Sequence, residues 1–121
     1  MKAAISVNSA KAVIVFYDSL LKDESLIGKP CLEIMAIDNG RSLIIKLFCE
    51  DDQEELSRSI ITTNGGCKTK DREAYRVDYS TFKNDVLSLC DICEVITIRC
   101  GANGIGIDVC RNKKVASKER K

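Results

Sequence analysis

No histidine occurs in this chain of 121 residues. That absence excludes imidazole acid–base chemistry, Ser-His-Asp triads and Cys-His dyads. No apolar run approaches the ~18 residues of a membrane span, so no membrane partner is expected. The first residues, Met1-Lys2-Ala3-Ala4-Ile5, lack the apolar core of a signal peptide. Phosphate-binding glycine loops are missing. Gly101-Ala102-Asn103-Gly104 is not followed by Lys-Ser/Thr and reads as a hairpin turn. Cys90-Asp91-Ile92-Cys93 is a lone CxxC, without the second pair that a zinc site would want. The acidic segment Glu50, Asp51, Asp52, Glu54 and Glu55 lacks the spacing and the glycine of a calcium loop. It reads as a solvated loop. These absences point to binding rather than catalysis, with no cofactor and no metal.

Cysteine, in contrast, is plentiful: there are seven, at positions 31, 49, 67, 90, 93, 100 and 110. Most lie in apolar, strand-like runs, where a thiol packs as a small hydrophobe. An odd count in such runs is unlike a disulfide scaffold. Reduced core thiols in an intracellular, nuclear setting are expected. Cys90 and Cys93 fall at the C-terminal end of an expected helix. A thioredoxin-like motif uses the N-terminal end, so packing and helix termination are the favoured reading. A thiol-redox protein is the weaker alternative.

Net charge is +1 but unevenly placed. Residues 111–121 hold six Lys/Arg and one Glu, whereas residues 1–110 hold 13 Lys/Arg and 17 Asp/Glu. A basic tail on an acidic body suggests an anionic partner for the tail.

Residues 3–7 read as a short strand. Asn8 and Ser9 offer caps for a helix over about 9–22, with Val13, Phe16, Tyr17 and Leu20 on one face. Residues 31–37 and 42–49 read as strands joined by the turn Asp38-Asn39-Gly40-Arg41. A third strand is expected over 57–63. The pattern then restarts. Residues 74–79 form a strand, Ser80 caps a helix to about Cys90, and Phe82, Val86, Leu89 and Cys90 make its apolar stripe. Strands follow over 95–100 and 105–110, and Val115 opens an edge strand or a loose tail. The two halves are offset by about 70 residues, an internal β-α-β-β-β pseudo-repeat. The expected fold is α+β: one domain over 1–110, with two helices on one face of mostly antiparallel sheet, then the tail.

Two stretches carry a family resemblance. The first is Leu32-Glu33-Ile34-Met35-Ala36-Ile37-Asp38-Asn39-Gly40-Arg41-Ser42-Leu43-Ile44-Ile45-Lys46-Leu47. The second runs from Tyr75-Arg76-Val77-Asp78, through a helix, to Glu94-Val95-Ile96-Thr97-Ile98-Arg99-Cys100. With the order of elements, they resemble a single domain of the proliferating cell nuclear antigen family, the sliding clamps. The resemblance implies a clamp-type domain in a processivity-type, non-enzymatic DNA-binding role. It also implies helices that face DNA and sheet edges, near residues 68–77 and in the last strand after Ile105, that join other clamp-like subunits or copies of self. Known clamp subunits carry two or three such domains per chain, and this chain has room for one. DNA phosphates would then meet Lys11, Lys22 and Lys83 on the helices, and Lys113, Lys114, Lys118, Arg120 and Lys121 in the tail. The alternative is an interaction module that keeps the fold without encircling DNA.

Overall fold

The computed structural model describes residues 1–23, 28–49, 54–65, 73–101 and 104–109. The order of elements is β1 (Lys2–Ser6), α1 (Val7–Leu20), β2 (Pro30–Ile37), β3 (Ser42–Cys49), β4 (Ser57–Thr62), β5 (Ala74–Asp78), α2 (Tyr79–Leu89), β6 (Val95–Gly101) and β7 (Gly104–Val109). This is an α+β fold in which all described strand pairs are antiparallel. The expected edge strand at Val115 lies outside the described residues.

Instead of one sheet there are two among the described residues. Four strands run in the order β4-β3-β2-β5, and three in the order β1-β6-β7. Each half of the chain sends its opening strand to the other half's sheet. β1 pairs with β6, and β5 pairs with β2. Neither half could complete its sheet alone, and the inward residues of both sheets enter one core.

The hairpin of β2 and β3 follows from its turn. Asp38, Asn39 and Gly40 have φ of 54°, 55° and 80°. Left-handed backbone is cheap for glycine and tolerated by Asn and Asp. Every pair in the ladder is symmetric about the Asn39–Gly40 bond, from Ile37 opposite Ser42 to Pro30 opposite Cys49. Leu32, Ile34, Ala36, Leu43, Ile45 and Leu47 therefore point inward and are fully buried. Thr63 fastens β4 to this turn: its hydroxyl donates to the Gly40 carbonyl at 2.7 Å and its amide to Arg41 at 2.9 Å.

Both helices begin directly after a strand, earlier than expected. The Ser6 hydroxyl, not Asn8 or Ser9, caps α1 by accepting the Ser9 amide. The Asp78 carboxylate, not Ser80, caps α2 by accepting the Thr81 amide. The last strand residue serves as cap in each half, another mark of the repeat. Moving the start of α1 changes its buried face. Val7, Ala10, Val13, Ile14 and Tyr17 are buried, whereas Phe16 is 46% exposed. Ile14 takes the core position expected for Phe16. In α2, Phe82 and Val86 are buried as expected, joined by Tyr79.

The cysteines divide. Cys49 and Cys100 are core thiols, but Cys31, Cys90 and Cys93 are partly exposed. Cys67 and Cys110 lie outside the described residues. No helix among the described residues is long and apolar enough to cross a membrane.

Candidate interaction surfaces

The seam between the helices is built on Asp18. Its Oδ1 accepts the Tyr79 hydroxyl at 2.7 Å, and its Oδ2 meets Lys83 Nζ at 2.8 Å. The Tyr79 hydroxyl also reaches the Ile14 carbonyl at 3.1 Å. Burial pushes the Asp18 carboxyl up, but the bonds from Lys83 and Tyr79 outweigh it and hold the group below the usual carboxylate range. Burial and the bond to Asp18 drive the Tyr79 hydroxyl well above its ordinary value. Behind them the Tyr17 hydroxyl donates to the Ile45 carbonyl, tying α1 to the large sheet.

This seam changes the standing of the helix cations. Lys11 on α1 is exposed. So is Lys22, which falls in the turn beyond the helix because α1 ends at Leu20 and not near residue 22. The charge of Lys83, however, is matched by Asp18. Between Lys11 and Lys22 the outer side of α1 presents Val15, 69% exposed, and Phe16. The expected phosphate-contact residues Lys113, Lys114, Lys118, Arg120 and Lys121 lie outside the described residues.

The outer face of the four-stranded sheet carries two cross-strand rows. One is charged: Arg76, Glu33, Lys46 and Arg58 stand in register across β5, β2, β3 and β4. Glu33 lies 3.8 Å from Lys46 and 3.6 Å from Arg76. Arg58 grips Glu55 through two nitrogens at 2.7 and 2.8 Å. Those bonds hold the Glu55 carboxyl below its ordinary value. Glu55 is thus engaged by Arg58 instead of simply solvated, while Glu50, Asp51 and Asp52 lie outside the described residues. The other row is apolar: Ala74, Met35, Ile44 and Ile60. Ile60, on edge strand β4, is 62% exposed. Among the described residues the edges are β4 and β5 in the large sheet and β1 and β7 in the small one. The edges expected near residues 68–77 and after Ile105 correspond to β5 and β7. The β4 edge was not foreseen, although the two adjacent isoleucines in Ser57-Arg58-Ser59-Ile60-Ile61-Thr62 could have signalled a strand with apolar residues on both faces.

A cavity of about 560 Å³ opens where α1 begins and α2 ends. It is lined by Ser6, Asn8, Asn64, Cys90, Cys93 and Glu94, among others. The Cys90 thiol donates to the Leu87 carbonyl at 3.2 Å, and the Cys93 thiol to that of Leu89 at 3.5 Å. Among the described residues there is no cluster of three or more Cys, Asp or Glu that could hold a metal. Nor is any buried side-chain nitrogen or oxygen there left unpaired.

No protein-family model, curated protein or solved structure matches this chain.

Proposed function

We propose that the chain is a non-enzymatic binding domain of the sliding-clamp type. It joins other clamp-like subunits, or copies of itself, through sheet edges, in a DNA-associated, processivity-type role within the nucleus. The observation that carries this reading is the strand exchange between the two halves, with α1 and α2 side by side over a shared core. That arrangement accords with the repeat that the sequence resemblance implies. Contact with DNA runs through phosphates and is independent of sequence. It falls to Lys11, Lys22 and the basic tail, since Lys83 is spent on Asp18.

A second reading has its own support. The seam is electrically balanced, and Val15 and Phe16 are exposed between the two outer lysines. An apolar patch of that kind suits a protein partner better than a phosphate backbone. In this reading the domain keeps the clamp-like fold and does not encircle DNA.

Light scattering after size exclusion, with and without duplex DNA, separates the two. A closed assembly of six such domains is what the family resemblance implies, and open edges would disappear in it. A strict monomer that stays monomeric with DNA overturns the first reading and leaves the second.

A further inference from the structure

We infer that Cys90 and Cys93 form a reversible dithiol–disulfide pair, oxidised by low-molecular-weight disulfides such as glutathione disulfide. The inference is independent of the assembly proposed above. Three observations carry it. First, both cysteines are partly exposed and line the same open cavity, whereas Cys49 and Cys100 are buried. Second, the chain between them continues the helical turn. Cys90 has φ −65° and ψ −24°, and the Cys93 amide donates to the Leu89 carbonyl four residues back. Residues three apart in such a turn have Cα atoms about 5 Å apart. Disulfides need roughly 4.4–6.8 Å. The backbone is therefore already within bridging range. Third, both sulfurs bond weakly to carbonyls of the last turn of α2, those of Leu87 and Leu89.

The exchange balances. One cysteine sulfur, having lost its proton, attacks glutathione disulfide, and the first glutathione leaves as a thiol. The second cysteine then attacks the protein-side sulfur of the mixed disulfide, forming the Cys90–Cys93 bond and releasing the second glutathione. Two electrons pass from the cysteine pair to glutathione disulfide, and the two cysteine protons end on the two glutathione thiols. The bridge would stiffen the junction that carries the chain from α2 into β6. The next residue, Glu94, accepts the first amide of α1 at 2.9 Å, so the start of α1 senses the bridge.

The test uses the whole native chain, equilibrated in mixtures of reduced and oxidised glutathione, then alkylated and digested with trypsin. The peptide from Asn84 to Arg99 contains both cysteines and no other. It should be two hydrogens lighter and unalkylated, with a bridged fraction that rises as the glutathione mixture becomes more oxidising and returns to zero on reduction. The variant Cys93→Ser should instead accumulate a glutathione adduct at Cys90. Unmodified cysteines, persistent glutathione adducts in the unmutated chain, or bridges formed mainly with Cys31 would each overturn the inference.

Discussion

Tyr79→Phe is the sharpest probe of the seam between the helices. It removes one hydroxyl and no carbon, so packing around the Tyr17 and Tyr79 rings, 6.4 Å apart, is kept. What is lost is the bond to Asp18 at 2.7 Å and the longer one to the Ile14 carbonyl. A hydrogen bond to a charged group contributes about 1.5–3 kcal/mol. The Asp18 side chain is 35% exposed and keeps Lys83, so the contribution falls around or just below the bottom of that range. We predict a loss of about 1–2 kcal/mol at pH 7. A domain of this size unfolds with an entropy of about 0.25 kcal/mol per kelvin, so Tm should fall by about 4–8 °C. The pH dependence gives the stronger check. The Asp18 carboxyl is held below its unfolded value. Its stabilisation is therefore present above that value, near 3.8, and is lost as pH falls through the folded one. Urea unfolding followed by circular dichroism should show the full penalty at pH 7. The penalty should be smaller at the most acid pH where the fold survives, because the bond to a protonated Asp18 is neutral. An equal penalty at both pH values, or none at pH 7, refutes the account of the seam.

Four further outcomes follow from the packing and the charges. Ile14→Ala should cost about 2–4 kcal/mol in urea unfolding, and Phe16→Ala less than about 1 kcal/mol, since Ile14 is buried and Phe16 is not; the reverse order would restore the face expected from sequence. Glu33→Gln should cost less than about 1 kcal/mol, because its ion pairs with Lys46 and Arg76 are long and partly exposed; a larger loss would show that the charged row acts as one network. If the chain binds DNA, deleting residues 111–121 should lower the affinity and reduce the slope of log K against log salt by roughly one unit per phosphate contact removed. Lys11→Gln and Lys22→Gln should each lower that slope in a binding titration, and Lys83→Gln should not.

The hairpin of β2 and β3 was legible because a single feature, the Asn39-Gly40 turn, sets all its pairs. Glu33 opposite Lys46 follows from that register by counting outward from the turn. The helices were legible as elements but not in their starts, since Ser6 and Asp78 belong to strands by pattern and act as caps through geometry. Strand exchange was not legible. Alternation marks which residues face inward but not which strand lies alongside, and β1 finds β6 some ninety residues later. The pairing of Asp18 with Lys83 was hidden for the same reason. Helical spacing reveals neighbours on one helix, and these two sit on different helices. The CxxC was placed correctly at the end of α2, but its cavity depends on the start of α1, which sequence distance conceals.

Strand exchange also bears on how the proposed functions divide. Because each half completes the other's sheet, both helices are fixed on one core and share a single seam. Where the helices meet, a half-buried pair, Asp18 with Lys83, leaves the Lys83 charge balanced. The remaining cations of this region, Lys11 on α1 and Lys22 in the turn just beyond its end, flank the exposed Val15 and Phe16 in sequence. Two separated charges release few counterions, and affinity for DNA grows with the number of phosphates neutralised. Residues 1–110 carry a net −4 and would oppose approach, while residues 111–121 carry +5. On the proposed reading, the body would therefore recognise other protein through its edges and patch. Most of the electrostatic drive toward DNA would come from the tail, with a smaller share from Lys11 and Lys22, and cutting the chain between body and tail should largely separate the two proposed activities.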